Sequence, residues 1–195
     1  MNRGRCGPAR GGRGWTRPVA LARASVLALV LLTGLSASGE APSATLRLTR
    51  LDGSDPPIAF SVATPAGGTL NLSDFKGQVV LLNFWATWCE PCLEEMPAME
   101  RLAQAYRGRG LVVVALSVDR EGAAVVRPFL KRHSLTLAVG LDPDQSVARS
   151  QRVWALPSTF VLDRTLTRRY QAQGARDWAS PPAFAFFDGL LKVLP

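Results

Sequence analysis

The chain has 195 residues, 47% hydrophobic and 19% charged, which supplies a core for one ordinary domain and excludes a disordered chain. Its formal charge is +8, but Arg3, Arg5, Arg10, Arg13, Arg17 and Arg23 all fall in the first 23 residues, and without them 17 basic residues face 15 acidic ones. The body is therefore nearly neutral, with no basic stripe interleaved with aromatics, which excludes nucleic acid as a partner.

Taken in chain order, residues 1–37 read as a signal peptide or a retained N-terminal membrane anchor. A basic, Gly-rich leader precedes the apolar run ASVLALVLLTGL at 24–35, and small residues follow. The run has 12 residues, short of the roughly 20 that span a bilayer. Either outcome places the rest of the chain in the periplasm or another extracytoplasmic space, with the membrane touched only through this segment. Cys6 lies in the leader and is read as incidental. Residues 38–55 are rich in Ser, Ala, Gly and Pro and read as a linker to a domain spanning 56–195.

IAFSV at 58–62 and TLNL at 69–72 flank TPAGG and predict a β-hairpin, with SDFKG a turn. QVVLLNFWA at 78–86 is a continuous apolar run suited to a strand buried on both faces. Leu93, Met96, Met99, Leu102, Ala103 and Tyr106 then recur at helical spacing, with Pro97 expected to kink the helix and GRG at 108–110 to stop it. LVVVALSVD at 111–119 predicts a second buried strand, and EGAAVVRPFLKRH at 121–133 a helix. DPDQSVARSQRV at 142–153 predicts a short helix with Asp142 as N-cap. STFVLD at 158–163 and TRRYQAQ at 167–173 predict an antiparallel hairpin, and residues 177–194 a closing helix delayed by Pro181 and Pro182. This order calls for an α/β fold, a mixed central sheet with helices on both faces and an N-terminal hairpin extension.

Cys89 and Cys92, in WATWCEPC, are the only cysteines beyond the leader. With two residues between them they close almost no loop, so a structural staple is excluded on magnitude. Zinc needs about four ligands; the only histidine, His133, follows a helix in a polar context and reads as a solvated helix-end residue. A peroxide-reducing site would place a threonine three residues before the cysteine and a proline four before that, but Thr87 is two before Cys89 and position 82 is Leu. What remains is a pair that exchanges electrons. Cys89 falls where a strand ends and a helix begins, so its sulfur meets the positive end of the helix and its thiolate is favoured. Cys92 lies one turn deeper, placed to resolve a mixed disulfide formed at Cys89. Pro91 suits the first helical turn. The disulfide is the only redox group expected; no further cofactor and no metal are called for.

FWATWCEPC, Pro97 five residues after Cys92, and LPSTFVLD at 156–163 resemble the thioredoxin fold. More narrowly, they resemble the exported, often membrane-tethered thiol:disulfide reductases of the TlpA/ResA type, over about residues 56–193. The resemblance implies that Pro157 is cis and faces the cysteines, keeping a backbone edge open for a substrate peptide. Leu156 before it, and Ala155 where glycine is common, depart from the pattern at substrate contact. Thioredoxin carries a buried aspartate at the position of Asn83, which cannot titrate. The exported group instead has a glutamate three residues after the second cysteine, here Glu95, and the expectation is that Glu95, with a raised pKa, moves the proton of Cys92. Its alternative is an ordinary exposed acid at a helix start. Glu94 and Glu100 read as plain solvated acids.

Glu90 lies between the cysteines. Its negative charge disfavours a neighbouring thiolate by ~1 kcal/mol or less if exposed, on the order of 20 mV towards a reductant. Trp88 is expected exposed beside Cys89, on the surface that meets substrate together with Glu90, Pro91, Leu156 and Pro157. Trp85 and Phe84 read as packing residues, Trp154 as either, and Asp119 and Asp163 as turn formers. The function expected is a monomeric, exported thiol–disulfide reductase. The resemblance implies protein disulfide substrates such as the Cys-x-x-Cys-His segment of apocytochrome c or copper-site cysteines, and a membrane thiol carrier of the DsbD/CcdA type as electron donor. The alternatives are a disulfide oxidase or isomerase, a copper chaperone, or a non-catalytic peptide-binding module.

Overall fold

Seven consecutive residues of VVLLNFW are buried, which is possible only for a strand covered on both faces. In the computed structural model, which describes residues 46–193, this strand, Val79–Trp85, is β4 at the centre of an eight-stranded sheet. The segment read as signal or anchor, Cys6 and the first part of the linker lie outside the described residues. Among the described residues no helix is long and apolar enough to cross a membrane.

The chain enters through β1 (Thr49–Arg50), the hairpin β2 (Ser61–Ala63) and β3 (Thr69–Asn71), and a 3-10 turn at Leu72–Phe75. After β4 come α1 (Glu90–Ala105), β5 (Leu111–Ser117), α2 (Ala123–Arg132), β6 (Ala138–Leu141) and α3 (Ser146–Ser150). The hairpin β7 (Ser158–Leu162) and β8 (Arg168–Gln173) and the helix α4 (Pro181–Val193) close the chain. Strand order is β1-β8-β7-β4-β5-β6-β2-β3. β4–β5 and β5–β6 pair parallel through helical crossovers, and the other pairings are antiparallel. This is the thioredoxin-like mixed α/β fold. Its parallel core comes from the crossovers and its antiparallel edge from the last hairpin.

Three sequence readings need correction. LRLTRL, read as linker, supplies edge strand β1, where Thr49 and Arg50 pair with Gln171 and Tyr170 and Leu46 and Leu48 pack on the core. The strand β6 was not foreseen: AVGL is only four residues long and periodicity has little to grip. Gly140 is required there, because a Cβ would come within 2.6 Å of Leu116 and Val62. The helix predicted from Asp142 spans only Ser146–Ser150, with Gln145 at the N-cap in a left-handed conformation. Asp142 still caps it from outside, accepting from the N–H groups of Val147 (3.1 Å) and Ala148 (2.8 Å). As expected, α1 runs through Pro97, and it ends at Ala105, ahead of the GRG stop. Pro181 and Pro182 begin α4, where their missing N–H groups cost nothing.

Just past the end of α1, Tyr106 stacks on Phe184 and stands edge-on to Phe187 of α4. The Tyr106 hydroxyl donates to the Asp188 carboxylate at 2.8 Å. Burial together with that carboxylate pushes the phenol up to about 12.

Candidate active site

Cys89 is the N-cap of α1 in an extended conformation, and no side chain caps this helix end. Its sulfur therefore occupies the place where first-turn N–H groups and the helix dipole favour negative charge. Cys89 retains a sliver of exposure, 7%, whereas Cys92 is at 0%. The two are joined as a disulfide with Cα atoms 5.3 Å apart. Pro91 occupies the first turn, and both Glu90 and Pro91 are exposed.

The loop before Cys89 is held from across the sheet. The Asp119 carboxylate, buried at the end of β5, accepts from the Thr87 N–H at 3.0 Å and the Thr87 hydroxyl at 2.7 Å. It also accepts from the Ser117 hydroxyl at 2.8 Å. Beyond the turn expected of it, Asp119 fixes the backbone two residues ahead of the outer cysteine. Asp163 does serve its own turn, through Thr165 and Thr167.

Cys89 opens on a groove of about 460 Å³ whose walls include Trp88, Pro91, Val118, Trp154 and Leu156. Trp88 is 67% exposed and Trp154 81%, so two large apolar rings stand in solvent along the groove that Cys89 lines. Phe84 and Trp85 are fully buried packing residues. The Leu156–Pro157 bond is cis. Pro157 is buried behind the groove, and its carbonyl accepts from the Gly174 N–H at 2.9 Å. The Ala155 carbonyl is taken by the Ser158 hydroxyl at 2.7 Å. The fold thus gathers Trp88, Cys89, Glu90, Pro91 and Leu156 on one groove, with Cys92 buried behind Cys89 and the buried Pro157 following Leu156.

Glu95 is not on the groove. It lies one turn beyond Cys92 on the same face of α1, only 2% exposed. Its Oε1 accepts from Asn83 Nδ2 (2.8 Å), and its Oε2 from the Arg176 N–H (3.1 Å) and Trp178 Nε1 (2.9 Å). Burial outweighs these donors and the Arg176 charge and pushes the carboxyl up to about 7. The exposed-acid alternative does not hold for Glu95. Register explains why Asn83 is available: Asn83 and Thr159 are direct cross-strand partners on β4 and β7, and their side chains are bonded at 3.0 Å. Arg176 and Trp178 follow β8, some eighty residues from Glu95. DWASPP carries no local pattern that would reveal this contact, and sequence reasoning missed both.

Glu100 was also misread. It is buried, and its carboxylate accepts from the Thr136 N–H at 2.7 Å, from the Thr136 hydroxyl and from Gln104. Desolvation pushes it upward, but the Thr136 and Gln104 donors prevail and hold it below the usual carboxylate range. His133 is exposed at the end of α2 beside Phe129. Among the described residues no three His, Cys, Asp or Glu side chains are grouped to hold a metal ion.

The chain belongs to the AhpC/TSA family, whose model matches residues 54–171. It is 38% identical to the thiol-disulfide oxidoreductase ResA of Bacillus thuringiensis subsp. konkukian (strain 97-27) over 105 residues, 54% of this chain and 60% of that protein. The match thus spans about three fifths of that relative's length. Among solved structures, a Chlorobium tepidum protein described as a thiol:disulfide interchange protein DsbE superposes with a TM-score of 0.66 at 30% identity, covering 72% of this chain and 99% of that one. The exposed lipoprotein thioredoxin Etrx1 of Streptococcus pneumoniae strain TIGR4 superposes with a TM-score of 0.58 at 25% identity, over 70% of this chain and all of that one.

Proposed function

We propose that this protein is an exported thiol–disulfide oxidoreductase that reduces disulfides in partner proteins through Cys89 and Cys92. The observation that carries the reading is the asymmetry of the pair: one sulfur sits at an uncapped helix N-terminus on an open groove, the other is sealed beneath it. The matches to ResA and to a DsbE-type protein support the same chemistry. The family match carries no peroxidase reading, because Thr87 is bound to Asp119 and Leu82 stands where that site needs proline.

In the reduced protein the Cys89 thiolate attacks a sulfur of the substrate disulfide, forming a mixed disulfide and releasing one substrate thiolate, which takes a proton. Cys92 then loses its proton, with Glu95 as acceptor, and attacks Cys89. The Cys89–Cys92 disulfide forms and the second substrate thiolate leaves. A neutral-range pKa suits Glu95 to this task, since a carboxyl at about 7 gives and takes protons equally well near neutrality. An extended substrate segment lies along the groove between Trp88 and Trp154, pairing with the backbone at Leu156, because the carbonyls on either side are already engaged.

Electrons return from a membrane thiol carrier of the DsbD/CcdA type. The substrates are disulfides such as the Cys-x-x-Cys-His segment of apocytochrome c, or cysteines of copper sites awaiting metal. Function outside the cytoplasm rests on the N-terminal sequence pattern and on the likeness to an exposed lipoprotein thioredoxin. The test is insulin reduction by recycled protein, with a redox titration of the pair. Activity that disappears in Cys89→Ser and a potential in the thioredoxin range support a reductase. Retained activity in Cys89→Ser, or a potential near that of a strong oxidant, contradicts it.

A further inference from the structure

Asn83 is fully buried at the centre of β4, and its amide is only half used. Nδ2 donates to Glu95 Oε1 at 2.8 Å and to Thr159 Oγ1 at 3.0 Å, while Oδ1 has no partner. A buried polar atom left without a partner costs about 1–3 kcal/mol, so an orphan at this place calls for an explanation.

The donors around Glu95 suggest one. All three bonds to its carboxyl are given by donors: Arg176 N–H and Trp178 Nε1 to Oε2, and Asn83 Nδ2 to Oε1. Such a shell fits a carboxylate. A protonated Glu95 needs an acceptor, because its O–H is buried with it. Oε2 already takes two donors, which leaves the proton on Oε1, facing Asn83. With Nδ2 turned towards it, two donors would then oppose each other. A half-turn of the amide about its last torsion exchanges Nδ2 and Oδ1 with almost no change of shape, moving Nδ2 to the side where Oδ1 now has no partner. Oδ1 then accepts the Glu95 proton. Thr159 can follow, since its hydroxyl both accepts and donates.

We propose that Asn83 is a proton-linked positioning residue for Glu95, its amide donating to the carboxylate and rotating to accept from the carboxylic acid, so that neither state of Glu95 is stranded in the core. No proton passes through Asn83; Glu95 alone gains or loses one. The charged and titratable groups around Glu95 are Cys92, Glu94 and Arg101 on α1, and Arg176 and Asp177 on the segment after β8. The sheet contributes the neutral Asn83 and Thr159. An ionised aspartate at position 83 would be an acceptor only and would add a second charge. An aliphatic residue would serve neither state.

The biological use of this rotation rests on the reading that Glu95 handles the Cys92 proton, but the rotation itself is tested without thiol chemistry. The full chain in its disulfide form, isotopically labelled, is titrated from about pH 5 to about pH 9, a window centred on the carboxyl's raised value. The Glu95 carboxyl carbon reports its protonation. The NOEs from the Asn83 amide protons to the Thr159 methyl and the Glu95 methylenes report the amide's orientation. These NOEs are expected above the Glu95 midpoint and lost below it, with the same midpoint. NOEs that persist unchanged through that midpoint, or a Glu95 that does not titrate in the window, overturn the proposal.

Two variants sharpen it. Trp178→Phe removes a fixed donor whose bond to Oε2 favours the carboxylate over the acid, so it should raise the Glu95 midpoint. Asn83→Leu removes a group that serves both states and should move the midpoint less. A larger rise in Asn83→Leu would make Asn83 a fixed donor and defeat the idea. The reductase reading fails separately, in the insulin assay with Cys89→Ser, whatever the amide does.

Discussion

Helix α1 carries two buried glutamates five residues apart whose chemistry diverges. Glu95 and Glu100 each accept from three donors, yet burial drives the first up to about 7 while the Thr136 and Gln104 donors hold the second below the usual range. The difference is depth. Glu95 lies under the sheet, closed over by the Trp178 indole. Glu100 lies where the segment after α2 reaches α1, and Thr136 itself is exposed. A count of hydrogen bonds therefore does not fix the charge of a buried carboxyl; the solvation lost in reaching the site does. One end of the helix holds a group able to exchange a proton near neutrality, and the other a charged clamp on the loop entering β6.

The sharpest way to break this comparison is kinetic. Glu95→Gln should slow insulin reduction by about 100-fold, the usual worth of a positioned acid–base group, and flatten the pH profile of Cys92 reactivity. Glu100→Gln should leave that profile unchanged. An unaltered profile in Glu95→Gln would remove the distinction between the two acids.

A thermodynamic test follows, with opposite signs for the two residues. Folded Glu95 keeps its proton to higher pH than it does in the unfolded chain. Its contribution is thus fully present below about 4.5 and is lost as pH rises through about 7, an effect on the order of 3 kcal/mol at 1.36 kcal/mol per unit. Glu100, held below its ordinary value, contributes stability above the ordinary carboxylate range that is lost as pH falls through its folded value. Denaturant unfolding across pH should show the neutral-range decline disappearing in Glu95→Gln and surviving in Glu100→Gln.

Much of this was legible in the sequence, and the boundary has physical causes. The continuous apolar runs announced β4 and β5, and WCEPC between a strand and a helical period announced the reactive pair. Exposure of Trp88 followed from its place before Cys89. The burial of Glu100 was invisible and that of Glu95 was expected only through the resemblance, because each is buried by residues distant in the chain: Thr136 for the first, Trp178 and Arg176 for the second. The wider role of Asp119 was missed for the same reason, since its partner Thr87 is 32 residues away. The strand β1 carries two exposed residues and β6 only four in all, too few for alternation to stand out.

Smaller effects refine the picture. Glu100→Ala should cost about 1 kcal/mol, because water reaches the exposed Thr136 and replaces part of what is lost. Asp119→Asn should cost a similar amount by loosening the loop at Thr87, and should also raise the alkylation rate of Cys92 by admitting reagent beside Trp88. A rate that does not change would mean that the loop is held without Asp119.

The division of labour between Cys89 and Cys92 is tested most directly by alkylation of the reduced protein at neutral pH, with each thiol followed by peptide mass. Cys89 is expected to label at least about ten times faster than Cys92 and faster than a free thiol, as a helix-stabilised thiolate should. Equal labelling of both at the slow rate of an unperturbed thiol would contradict it.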